Sequence, residues 1–188
     1  MPSTLNKPSD FYEKVVAELD QKVKGATVTE YAVYGEHEVS GLECHVSVDE
    51  YGLLSQHQDG RIKQPVRMRV FCLVSRAVGE EYGRHADLVA QDLASAVGRI
   101  VFNNHFSLGG AVSKPSEIQS LRGLFRSGQN GYECWETEWW QTLHLGELPE
   151  EEPVLSGLYV AINPQHPEKK DEYQEWPHVE LDRQDSAQ

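Results

Sequence analysis

Glu136 and Glu138 stand two residues apart in CWETEWWQTLHL (134–145), beside Trp135, Trp139 and Trp140. On an extended strand such residues share a face at roughly 6.5–7 Å. That carboxyl separation suits glycoside hydrolysis, and tryptophan faces stack on sugars. The mechanism asks for more, however: carboxyls on opposite sides of a scissile bond, one of them in an apolar pocket that raises its pKa. Strict alternation instead puts Glu136, Glu138, Thr142 and His144 on one face, expected to be solvated. Trp135, Thr137, Trp139, Gln141, Leu143 and Leu145 fall on the other, of which Trp135, Trp139, Leu143 and Leu145 suit a core. Trp140 is a large aromatic on the polar face. It is either a contact anchor, since tryptophan is enriched in interface hot spots, or a ring covered by a neighbouring loop or the C-terminal segment.

The remaining chemistry-bearing residues form no catalytic constellation. The eight histidines, His37, His45, His57, His85, His105, His144, His166 and His178, show no HExxH or other ligand spacing. Cys44, Cys72 and Cys134 stand far apart, each in an apolar alternation; an odd number without CxxC spacing argues against a disulfide framework and a zinc site. They read as small buried hydrophobes in a reducing compartment. GxSxG is absent, and in LGGAVSKPSE the GxxxxGK[ST] spacing fails, with Pro115 after Lys114. Arg67, Arg69, Arg122 and Arg126 form a local basic stripe if their strands are neighbours; more often such arginines keep an exposed face soluble or pair with acids across strands or subunits. No cofactor or metal is expected.

The chain's 188 residues suit one domain with a short extension. No apolar run approaches the roughly 20 residues that span a bilayer, and MPSTLNKPSD has no apolar segment of the kind that marks secretion. A cytoplasmic protein is expected. The net charge is −13, of which Gly146–Gln188, with eleven acidic and three basic residues, carries −8 and the other 145 residues −5. Such a field does not hold a protein on phosphate backbones or anionic membranes.

The elements that must position these residues follow from periodicity. A first helix starts near Ser9 or Asp10, with capping-box spacing to Glu13, carries Tyr12, Val15, Val16, Leu19 and Val23, and stops near Gly25. TVTEYAVYG (27–35) reads as a strand. So does GLECHVSVD (41–49), with Leu42, Cys44, Val46 and Val48 inward and Glu43, His45, Ser47 and Asp49 on a wet face. A polar turn at 55–64 precedes PVRMRVFCLVSR (65–76), apolar on both faces at Phe71–Val74 as in a central strand. One helix is predicted over 80–102 from the stripe Ala86, Val89, Ala90, Leu93, Ala96, Val97, Ile100 and Val101. After a loop at 103–115, residues 117–146 read as two long strands joined at SGQNG, where Asn130-Gly131 signals a hairpin. The predicted fold is α+β: a mostly antiparallel β-sheet with two main helices packed on one face, over residues 1–146. Residues 147–188 are an acidic extension with a short strand near 154–162.

Three stretches resemble tail proteins of Mu-like phages and prophages, a family grouped by fold with the lambda-type tail terminator. They are DFYEKVVAELDQKV, YECWETEWWQTLHLGE and LYVAINPQHPEKKDEYQEW, and the resemblance runs over most of residues 9–176. Loop 50–64 and the last dozen residues have no counterpart. The resemblance implies a structural virion protein, not an enzyme: a ring of subunits, a homohexamer, capping the head-proximal end of the tail tube. Its partners would be itself, the tail tube protein, a neck or stopper protein and the tail sheath. DNA would pass through the lumen without specific binding, with no membrane contact. The host cytoplasm during assembly and then the virion would be its locations. Another neck role, stopper or head–tail adaptor, is the nearest alternative; a carbohydrate-active hydrolase using Glu136 and Glu138 is the alternative of another class. The candidate subunit interface is Arg122, Arg126 and Trp140, on the 117–145 hairpin.

Overall fold

The computed structural model describes residues 4–31, 38–128 and 131–147, and beyond them the backbone of two short strands. The chain divides into two compact units, residues 1–149 and 150–188.

In the first unit, α1 (Pro8–Lys22) is built on Phe11, Val15 and Leu19, all buried and one or two turns apart. It begins earlier than the capping-box spacing suggests. Lys7 is the N-cap, Pro8 takes a first-turn position where its missing N–H costs nothing, and the Asp10 N–H already donates to Lys7 O at 3.1 Å. Tyr12, read as a core residue, is half-buried, and its hydroxyl donates to Val46 O at 2.8 Å, fastening helix to sheet.

Strand β1 (Thr27–Glu30) pairs in parallel with β2 (Leu42–Tyr51), through Thr27↔Glu43 to Glu30↔Val46. Residues 32–35 of the predicted first strand lie outside the described residues. After β3 (Ser55–Gln56), β4 (Ile62–Ser75) pairs antiparallel with β2 on one side. On its other side it pairs antiparallel with β6 (Tyr132–Leu145), from Ile62↔Leu145 to Ser75↔Tyr132. Edge strand β5 (Ser116–Arg122) completes the six-stranded sheet β1-β2-β4-β6-β5, and β3 pairs with β4 beside this path. Pro65 sits inside the central strand without breaking it. Its missing amide would point toward the end of β2, where its own carbonyl accepts from Gly52 N–H at 2.8 Å, so the β4–β6 ladder is untouched.

The predicted 80–102 helix is two helices, α2 (Arg76–Glu81) and α3 (Ala86–Val101). The apolar stripe is confined to the second. Gly83, at φ +62°, turns the chain between them, and Gly79 lets α2 close on α3. Ala90 of the stripe is fully buried as expected, but Ala96 is only half-buried and Ala94, outside the predicted stripe, is fully buried. Ala86, Ala90, Ala94 and Gly98 recur every four residues, so α3 approaches β6 closely: Thr137 Oγ1 donates to Ala94 O at 2.9 Å.

Helices α1 and α3 pack on the same face, over a core in which Trp139 stacks on Phe106 (6.2 Å between centroids) and Phe106 meets Phe11 edge-on (5.9 Å). Buried Gln141 has its bonds satisfied. It accepts from Trp139 Nε1 at 3.2 Å and donates to Asn104 O and Ser113 O at 3.1 and 2.8 Å, pinning the 103–115 loop. The hairpin joining β5 to β6 forms, but β5 stops at Arg122; nearer the tip the two arms are tied by Gly123 N–H donating to Cys134 O at 2.9 Å and by the bridge Arg126↔Tyr132. In the second unit β7 (Tyr159–Val160) pairs antiparallel with β8 (Gln174–Glu175). The rest of the strand expected at 154–162 lies outside the described residues.

Candidate functional site

The sheet face away from the helices carries the charged residues. Alternation along β2, β4 and β6 sets Asp49, Arg67, Arg69, Glu136, Glu138 and Trp140 side by side there. Arg69 is the centre: Nη1 donates to Glu136 at 3.1 Å, and Nη2 to Glu138 at 3.1 Å and Asp49 at 2.9 Å. Arg67 contacts Asp49 at 2.6 Å and Glu50 at 3.3 Å. Gln119, from β5, donates to the other oxygen of Glu138.

This arrangement corrects the expectation of a solvated face. The Glu138 side chain is 9% exposed and that of Glu136 14%, because guanidinium and amide groups lie across them. Further along, Glu43 and His45, expected on a wet face, are buried and paired at 2.8 Å. Burial pushes the Glu136 carboxyl above its ordinary value, Arg69 works against the shift, and Glu138 and Asp49 add to it. A raised carboxyl is one half of a glycosidase pair. Here, however, both carboxylates bind one shared guanidinium from the same neighbouring strand, and neither lines either of two depressions among the described residues. One of those, of about 560 Å³, lies between Arg76, Glu80, Arg84, Asp87 and Glu133; the other, of about 370 Å³, lies by Tyr12, Glu30 and Tyr51.

The three candidate interface residues do not form one patch. Trp140 is half-buried, with the Arg67 guanidinium 5.7 Å from its ring centre, so β4 supplies the cover left open between loop and C-terminal segment. Arg122 is on the helix-facing side of β5, 3.3 Å from Asp87 and 3.6 Å from Glu133. Arg126 exchanges two backbone bonds of 3.0 Å with Tyr132 near the hairpin tip. Tyr132 and Trp140 are eight residues apart on one strand, roughly 27 Å at about 3.4 Å per residue. Nor do the arginines make a basic stripe: β6, with Glu136 and Glu138, runs between β4 and β5.

The sequence reading missed the apolar character of the hairpin. Leu121, Leu124 and Phe125 are 45%, 85% and 58% exposed, with the Arg122 guanidinium 6.0 Å from the Phe125 ring centre. The signal was LRGLFR itself, where two large hydrophobes follow Gly123 outside any alternation. Gly123 is needed there, since a Cβ would stand 2.6 Å from Cys134 Sγ.

Among the described residues no group of three or more His, Cys, Asp or Glu could hold a metal. The rings of His57 and His144 meet tilted at 37°, with centroids 4.5 Å apart; His57 Nδ1 lies 2.7 Å from Asp59, and His144 Nδ1 lies 3.1 Å from Gly110 O. His37, His166 and His178 lie outside the described residues. The three cysteines are free thiols and buried.

Fold and face together define an α+β domain whose sheet has one face covered by helices, one face of paired charge, and, among the described residues, exposed apolar side chains at the end of its edge strand β5. No protein-family model matches the chain, and no curated protein matches it. No helix among the described residues is long and apolar enough to cross a membrane.

Proposed function

We propose that the protein is a structural subunit of a phage tail, the terminator that closes the head-proximal end of the tail tube as a ring and joins it to the neck. The observation that carries this reading is the exposure of Leu121, Leu124 and Phe125 at the end of β5 and just past it, on a strand that is at the sheet edge among the described residues, in a chain of net charge −13. An exposed apolar tip on a strongly acidic protein is a contact surface. Ring closure needs such a patch to meet a different one on the next copy, a head-to-tail contact. Arg122, whose guanidinium lies 6.0 Å from the Phe125 ring centre, and Arg126, the next residue after Phe125, supply local opposite charge that lets acidic subunits approach. Trp140, seated under Arg67, stiffens the sheet instead. The acidic balance suits a lumen that DNA crosses without sticking.

Native mass spectrometry of the purified protein, alone and with tail tubes, tests the reading. A closed ring of six, lost in the Leu124→Glu, Phe125→Glu double variant while the fold persists, is the expected result. A protein that stays monomeric in both settings overturns it. A ring that binds head portal particles but ignores tube tips assigns the stopper or adaptor role instead.

A further inference from the structure

Cys44 and Cys72 face each other directly across β2 and β4. Both are fully buried on the helix side of the sheet, among Val46, Val70 and Val74. Cys134 projects from the other face, beside Leu73 and Val39. The phase of the ladder decides how close the pair stands. Ser75 N–H donates to Gly41 O at 3.0 Å, one step beyond the pair Leu42↔Val74. Hydrogen-bonded and non-hydrogen-bonded pairs alternate along an antiparallel ladder, so Glu43↔Leu73 is bonded and Cys44↔Cys72 is not. The same phase holds past the bulge between Val48 and Glu50, where Gly52 N–H donates to Pro65 O at 2.8 Å. Non-bonded pairs are the closer kind, with Cα atoms about 4.5 Å apart. That distance lies inside the roughly 4.4–6.8 Å span a disulfide bridges.

We infer that Cys44 and Cys72 are a latent cross-strand disulfide site, closed when the folding chain meets an oxidant of the oxidised-glutathione class. One cysteine thiolate attacks a glutathione sulfur and releases one glutathione as its thiolate. The second cysteine, on losing its proton, attacks the protein-side sulfur of the mixed disulfide and releases the other. The S–S bond forms, the two protein sulfurs give up two electrons, and oxidised glutathione is reduced to two thiols. In the folded protein this exchange is slow. The neighbouring Cys44 thiol, and then burial, hold the Cys72 thiol well above its ordinary range, so thiolate is scarce. Burial, with Glu136 adding to it, pushes Cys134 up to about 12, on the far side of the sheet. The pair therefore stays reduced in a reducing compartment and joins where the chain folds, or opens, under oxidising conditions. This inference is independent of the tail reading.

The test unfolds the full-length protein in urea, refolds it in a reduced/oxidised glutathione buffer, and alkylates it under denaturing conditions. Expected are a mass lower by about 2 Da before alkylation, one linked Cys44–Cys72 peptide, Cys134 fully alkylated, and a Tm raised reversibly with respect to dithiothreitol. Three alkylated cysteines after refolding, or a link that includes Cys134, overturn the inference. Cys134→Ser must keep the bond and Cys72→Ala must lose it. If Cys72→Ala does not fold, the wild-type peptide map decides alone.

Discussion

Arg69 shows how far one side chain governs the open face. It is the shared counter-ion of Asp49, Glu136 and Glu138, within 3.1 Å of all three. Arg69→Gln leaves three carboxylates crowded in a part-buried setting, and a loss of roughly 3 kcal/mol at pH 7 is expected. The pH dependence has a definite sign. Glu136, already raised by burial, rises further without Arg69. A raised carboxyl contributes stability that is complete below its unfolded pKa and is lost as pH rises through its folded pKa. The deficit of Arg69→Gln should therefore shrink as pH falls through the carboxylate range. Urea denaturation of both proteins across that range checks it; a deficit that stays constant or grows in acid would sink the account. The alternation in CWETEWWQTLHL made the two faces of β6 legible, and Trp139 and Leu143 are buried as alternation requires. What covers the polar face was not legible. Arg69 meets Glu136 and Glu138 from 67 and 69 residues away, and no local pattern carries that pairing.

At the scale of elements, the helices depend on spacing that glycine alone allows. A Cβ on Gly79 would stand 2.7 Å from the backbone nitrogen and 2.8 Å from Cα of Ala86, the first residue of α3. Backbone cannot yield as a side chain can, so Gly79→Ala should displace α2 and cost about 1–3 kcal/mol. Gly83→Ala meets nothing within 4 Å and bears only the strain of φ +62°, roughly 1 kcal/mol. The order of the two unfolding midpoints is the measurement; equal midpoints for both variants would contradict this packing. The break between α2 and α3 escaped the periodicity because the continuous apolar stripe starts at Ala86, and α2 before it is too short to show a stripe of its own. That short helix is held by its cap, with Ser75 Oγ accepting from Val78 N–H at 3.4 Å, and by Val78 and Gly79 packed inward. The first helix begins one or two residues before the start the sequence suggests for a related reason: Ser9 and Asp10 look like caps, but Pro8 can open a helix as well.

For the molecule as a whole, the α+β class and the face-covering helices followed from segment order and periodicity. The strand order did not, because register between distant segments is fixed by mutual burial; the parallel β1–β2 pair is an instance. The charge of −13 sets the expectation for association. If copies associate head to tail through the apolar residues of the hairpin, as proposed, their net charges repel at long range, and raising ionic strength from about 0.01 to 0.1 M shortens the screening length from about 30 to 10 Å. Assembly followed by native sizing should therefore rise over that interval. A fall would mean that pairing of opposite charges, centred on Arg122 and Arg126, dominates the contact. One further consequence lies in the long ladder between β4 and β6. Its partners are separated along the chain by 57 residues at Ser75↔Tyr132 and by 83 at Ile62↔Leu145. The chain must close that loop before the central pair rewards it, which places this protein among slow, topology-limited folders. On the ribosome β4 emerges long before its partner, and one edge of the future sheet centre stands bare until Leu145 has cleared the exit tunnel.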